Sequence, residues 1–193
     1  MPSPRKATLS LSLVLTFAAG LAHAETPAQL PAAAKKPAAP TAAKPADTTA
    51  ITPPAAAKLA FRLHATGAQV YTCGADAKEA GKFAWTLKQP DATLADATGA
   101  AAGTHGAGPT WTAKDGSVVG AKKQADAPAP RADAIPWLLL AATTHTGQGK
   151  FSKVTFVQRV NTTGGKAPAT GCDAAAVGKE ARAAYTADYI FWE

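Results

Sequence analysis

The chain has 193 residues, is 47% hydrophobic and 17% charged, and carries a formal net charge of +7 with only two cysteines. Its surplus of positive charge is scattered, and no basic stripe with interleaved aromatics occurs, which excludes a nucleic-acid-binding reading. Loose attraction to acidic polymers or lipid headgroups stays open.

The chain begins Met-Pro-Ser-Pro-Arg-Lys, a basic start, followed by an apolar run from Ala7 to Leu21 and then Ala22-His23-Ala24. This pattern predicts a secretory signal peptide over residues 1–24, cleaved after Ala24. The run is shorter than the ~20 apolar residues a membrane-spanning helix needs, and no later stretch is long enough to span. The expected location is therefore the periplasm or the extracellular space. Residues 25–57 are nearly all Ala, Pro, Thr and Lys. With nothing large to bury, and Pro blocking helix, they read as a disordered spacer. A single β-rich domain is expected over residues 58–193, long enough to bury one core without metals.

Within the domain, Phe61, Leu63 and Ala65 alternate with Arg62, His64 and Thr66, the period of a half-buried strand. Gln69-Val70-Tyr71-Thr72-Cys73 is a second strand with Gln69, Tyr71 and Cys73 on one face. Phe83, Trp85 and Leu87 alternate with Lys82, Ala84, Thr86 and Lys88 in a third. Thr98 to Pro109 is rich in glycine and reads as a loop containing His105. Trp111 sits in a short extended piece. Asp115-Gly116 signals a tight hairpin turn. Ile135 to Ala142 is a continuous apolar run, read as a strand buried on both faces, with a short helix as the alternative.

The most patterned run is Phe151 to Pro168. Val154, Phe156, Gln158 and Val160 share one strand face, and Thr155, Val157, Arg159 and Asn161 share the other. Gln158 is then an amide on an apolar face, paired with backbone at a sheet edge or lining a pocket. After Cys172, Asp173 is expected to cap a short helix reaching Arg182. Tyr185 to Trp192 is the last strand. Many short strands and frequent turn signals predict an all-β sandwich or barrel of roughly eight to ten antiparallel strands with at most one short helix.

Cys73 and Cys172 are an even pair. In an oxidising compartment they read as one disulfide, the alternative being two free thiols. Three histidines follow the leader: His64, His105 and His145. His105 and His145 are candidate metal ligands, but no two histidines stand at local ligand spacing. His105, Asp115 and Ser117 spell out a hydrolytic triad, although Ser117 is not in G-x-S-x-G and the three are closely spaced in sequence. Asp115 and Ser117 are better explained as turn residues bonding local backbone. Trp85 and Trp137 read as core. Trp111 is the candidate exposed stacking platform, against a plug at the end of the fold. With Trp111, the candidate ligand-binding residues are Tyr71, His105, Gln158 and Arg159.

Several stretches taken together resemble a known family. They are Gly67-x-Gln69-x-Tyr71-x-Cys73, Thr104-His105-x-x-Gly108-Pro109-x-Trp111, Asp115-Gly116-Ser117, Ile135-Pro136-Trp137-Leu138-Leu139, and Val157-Gln158-Arg159-Val160-Asn161-Thr162 with Gly164-Gly165 and Pro168. They resemble a domain-of-unknown-function family of secreted bacterial and fungal proteins, over about Phe61 to Trp192. The resemblance implies export, a paired Cys73 and Cys172, and a mostly-β domain. It carries no catalytic residue over to this chain.

The sequence thus favours a non-enzymatic exported β module with no cofactor. Its expected partner is a small molecule, a glycan or an envelope component. The alternatives are a small hydrolytic or metal-dependent enzyme centred on His105 and Asp115, and a structural or stress-related envelope protein.

Overall fold

The computed structural model describes residues 47–193. The expected signal peptide and most of the expected spacer lie outside the described residues. The alternating segments form eight strands in chain order: β1 (Leu59–Ala75), β2 (Phe83–Ala95), β3 (Ala101–Gly106), β4 (Thr110–Ala113), β5 (Val118–Ala127), β6 (Trp137–Thr146), β7 (Phe156–Gly164) and β8 (Glu180–Trp192). Each pairs antiparallel with its chain neighbours, and β8 returns to pair with β1. The result is one closed up-and-down barrel rather than two packed sheets.

Cross-strand partners face the same side of a sheet, so register decides what points inward. Leu63, Tyr189, Arg159 and Leu138 are successive partners across β1, β8, β7 and β6. His105, Trp111 and Val119 are partners across β3, β4 and β5. These rows face inward, where the main core gathers Leu63, Leu94, Trp111, Val119, Val157, Tyr189 and Phe191. Arg62, His64 and Arg182 point out to solvent. A lipid-spanning barrel has the reverse polarity, an apolar band outside and a polar lumen. Among the described residues no helix is long and apolar enough to cross a membrane.

Close strand approach requires glycine at two places. A Cβ on Gly67 would collide with the Asp91 carbonyl, and one on Gly103 with the Thr112 carbonyl. The Cys73–Cys172 disulfide forms, with Cα atoms 5.4 Å apart. It ties the loop before β8 to the end of β1.

A second, smaller apolar cluster lies on the outside of the barrel. Ile51, from the 3-10 turn Thr49–Ile51, packs there with Ala127, Leu139, Val160 and Ile190, flanked by Trp137, Phe156 and Trp192. Residues 49–51 fall within the stretch expected to be spacer, yet Ile51 is fully buried. This cover is why Leu138, Leu139 and Leu140 are all shielded although they alternate across one strand. It also accounts for the Gln158 face. Within β7, Phe156, Gln158 and Val160 point outward, and the Gln158 Nε2 donates to the Ile51 carbonyl at 2.9 Å; Val154, before the strand, sits in the main core. Gln158 thus pairs with backbone, but on β7, a strand bonded on both sides, and not at a sheet edge.

Other local expectations change for stated reasons. The glycine-rich stretch expected to be a loop forms β3, because Gly103 allows β4 to pack closely against it. Asp173 does cap a turn, accepting from the Ala175 and Ala176 amides, but the turn is a single 3-10 segment, Ala174–Ala176. Strand β8 begins at Glu180, where helix was expected. Trp137 belongs to the outer cluster rather than the barrel core. Trp85 is only partly buried, with its Nε1 donating to the Thr170 carbonyl at 3.0 Å.

Candidate ligand cavity

Strand lengths are uneven, and this opens the barrel wall. The β3–β4 hairpin is short. Its last pair is Gly106 with Thr110, while β2 pairs with it only from Ala92 to Ala95 and β5 only from Val118 to Gly120. The first half of β2 and the second half of β5 run on past the hairpin tip without bridging to each other. Into this gap opens a cavity of about 480 Å³. Its rim is Leu87, Lys88, Gln89 and Pro90 on one side, Lys123 on the other, and Gly108-Pro109 at the hairpin tip. A β1–β2 register shift places Val70 opposite Gln89 and Tyr71 opposite Leu87, leaving Lys88 as the extra residue of a bulge.

The floor is built by the inward rows. Leu138 and Leu140 supply an apolar wall, and Gln69, His105, Trp111, Arg159 and Tyr189 complete the lining. His105 and Trp111 stack with ring centroids 4.4 Å apart and planes 8° from parallel. Tyr189 stands edge-on to both, at 4.9 Å and 5.3 Å. Trp111 is 1% exposed, so it is part of the cavity floor and not an exposed surface platform.

The His105 Nδ1 lies 2.8 Å from the Thr110 carbonyl. A carbonyl only accepts, so Nδ1 carries the hydrogen and Nε2 keeps its lone pair. Burial pushes the His105 pKa down to about 4; the Thr110 carbonyl opposes this and the positive charge of Arg159 adds to it. The ring is therefore neutral at physiological pH. Burial raises the Tyr71, Tyr185 and Tyr189 hydroxyls, with Arg159 pulling each of them back down. Arg159 is thus the charge that all four of these inward groups feel. Its Nε and Nη2 both donate to the Pro136 carbonyl, at 3.1 and 2.8 Å.

Buried polar groups normally find partners. Here Gln69 Nε2 and Trp111 Nε1 have none among the described residues, whereas the Tyr185 and Tyr189 hydroxyls lie beside each other and Tyr189 also beside Arg159. Tyr71 donates to the Gly165 carbonyl at 2.7 Å.

The sequence candidates separate cleanly in space. Trp111, His105 and Arg159 meet in the cavity, with Tyr71 on the same inward side, and Gln158 lies outside. The triad does not assemble. Ser117 is fully buried; its hydroxyl donates to Asp115 at 2.6 Å and accepts from the Phe151 amide at 3.1 Å. Asp115 also accepts from the Lys150 amide at 2.8 Å. The Ser117 hydroxyl, first among these bonds, holds the Asp115 carboxyl below its ordinary range. Neither residue is bonded to His105. His145 Nε2 donates to the Val154 carbonyl at 2.7 Å. No group of three metal-ligating side chains gathers among the described residues.

Residues missed at the sequence level are Gln69, Leu138, Leu140, Lys123 and Tyr189. Gln69 and Tyr189 were visible as a strand amide and a strand aromatic, but their common direction depends on the register that closes β8 onto β1. Leu138 and Leu140 were hidden in an unbroken apolar run with no period.

A protein-family model described as "Protein of unknown function (DUF3455)" matches residues 53–193. No curated protein matches, and no solved structure matches.

Proposed function

Since the chain belongs to this DUF3455 family, whose description names no activity, we propose from the barrel's own chemistry that it is a non-enzymatic binding module holding one small organic molecule in the cavity. The carrying observation is the cavity itself, lined by Leu138, Leu140, His105, Trp111 and Tyr189 and opened by the short β3–β4 hairpin. Eight-stranded barrels are wide enough to hold one small ligand. A volume of about 480 Å³ is within the ~300–1,000 Å³ usual for small-molecule sites, which are mostly apolar with a few placed polar groups. The disulfide supports export to an oxidising compartment. The bonded state of Ser117 and Asp115 argues against the hydrolytic alternative.

The test is binding of N-phenyl-1-naphthylamine, a neutral probe that brightens in apolar surroundings. The expected result is saturable, one-to-one binding, abolished by Leu138→Trp, which fills the cavity, and unchanged by Val177→Ser, which removes an exposed apolar side chain elsewhere. Equal binding by the wild type and Leu138→Trp, or loss with Val177→Ser alone, would place the probe on the surface and overturn the reading.

A further inference from the structure

We infer that the cavity's occupant is a small organic anion, an aromatic or branched aliphatic carboxylate, held with its carboxylate on the Arg159 guanidinium and its body against Leu138, Leu140 and Pro109. This rests on the cavity reading above and specifies its ligand.

The charged side chains that line the cavity are all positive. Lys88, Lys123 and Arg159 line the cavity, and no Asp or Glu does. The two lysines are already paired at the surface, Lys88 with Glu180 at 2.6 Å and Lys123 with Asp126 at 2.7 Å. Arg159 has no carboxylate partner among the described residues; its Nε and Nη2 go to one backbone carbonyl, and the Tyr189 hydroxyl lies beside the guanidinium. A guanidinium has five donors in a planar fork. With Nε and Nη2 bonded to Pro136, the end of the fork that includes Nη1 still presents a parallel pair of N–H groups that matches a carboxylate.

The neutral groups nearby agree. The unpartnered atoms on Gln69 and Trp111 are an amide N–H and an indole N–H, which only donate. Such unmet donors cost about 1–3 kcal/mol each when buried, and they favour an acceptor-only group beside them over one that presents a competing hydrogen. A neutral polyol would need acceptors in similar number. A metal cation would find no carboxylate. Inorganic phosphate would leave the apolar wall of Leu87, Pro90, Leu138 and Leu140 uncovered.

The test compares 1-naphthoate with 1-naphthamide, nearly the same shape without the charge, and with inorganic phosphate, at pH 7.5 on the wild-type chain. The expected result is naphthoate binding at least about ten-fold tighter than naphthamide, the size of one or more charge-assisted hydrogen bonds, with phosphate not competing at comparable concentration. In Arg159→Gln the ratio should fall toward one, and in Arg62→Gln, which removes a charge on the outside of the barrel, it should persist. Because Arg159 also holds the Pro136 carbonyl, Arg159→Lys serves as a second variant; it keeps the charge without the fork and should retain part of the preference. Equal wild-type affinity for naphthoate and naphthamide would overturn the anion assignment while leaving the cavity reading intact. A preference kept in Arg159→Gln, or lost in Arg62→Gln alone, would overturn the role of Arg159. Absence of binding by both compounds, together with N-phenyl-1-naphthylamine, would remove the cavity reading itself.

Discussion

His105 and Trp111 stand directly opposite each other on β3 and β4, stacked at 4.4 Å. Burial holds the imidazole as a neutral ring, with Nδ1–H on the Thr110 carbonyl. Because the folded pKa is near 4 and an exposed histidine titrates near ~6.5, the unfolded chain takes up a proton first as pH falls. Stability is therefore full above about pH 6.5 and is lost progressively down to about pH 4, by an amount on the order of 3 kcal/mol at its upper limit. Urea midpoints between pH 7.5 and 4.5 should show this fall, and His105→Phe should flatten that part of the profile. An equal slope in both chains would contradict the buried neutral histidine.

The disulfide joins residues 99 apart in sequence. A loop of that length constrains the unfolded chain by roughly 4–5 kcal/mol in the chain-entropy model. Reduction, or Cys73→Ser with Cys172→Ser, should lower the unfolding free energy by several kcal/mol while keeping the far-ultraviolet β signature under mild conditions.

Ser117→Ala tests the structural clasp against the catalytic reading. It strips the Phe151 amide of its buried acceptor, which should cost about 1–3 kcal/mol in denaturant unfolding. Probe affinity at the cavity should be unchanged. Unaltered stability together with altered binding would reverse the assignment.

Ile51→Ala should destabilise the barrel by about 2–5 kcal/mol, the usual range for emptying a buried aliphatic site. A chain starting at Lys58 should lose at least as much, because the outer faces of β5, β6 and β7 would lose their cover. A chain starting at Lys58 that unfolds at the same denaturant concentration would contradict the role of the Ile51 turn.

The strands were legible wherever side chains alternated cleanly, as from Phe61 to Thr66 and from Tyr185 to Trp192. They were hidden where a second layer covered the outside. The Gln158 face is apolar because Ile51, 107 residues away, packs over it, and no local pattern reports such a contact. The polarity of that strand was therefore reversed: the side with Val157 and Arg159 is the inside. Trp111, His105 and Arg159 were recognisable as unusual one by one. Their meeting depends on the order in which the strands close, and so does the opening left by the short β3–β4 hairpin. The triad spelled by His105, Asp115 and Ser117 was legible as letters only, because the Asp-Gly turn directs Ser117 to Asp115 and Phe151.

The most direct test of the cavity is a titration of the ¹⁵N-labelled protein with 1-naphthoate, followed by the four indole N–H signals. Trp111 lines the cavity, whereas Trp85 lies against Thr170 and Trp137 and Trp192 flank the outer cluster. The Trp111 signal, together with the Gln69 side-chain amide, should shift saturably at one ligand per chain while the other three indoles hold still. Saturation that moves Trp85, Trp137 or Trp192 and leaves Trp111 in place would put the ligand on the outside of the barrel and contradict the cavity reading.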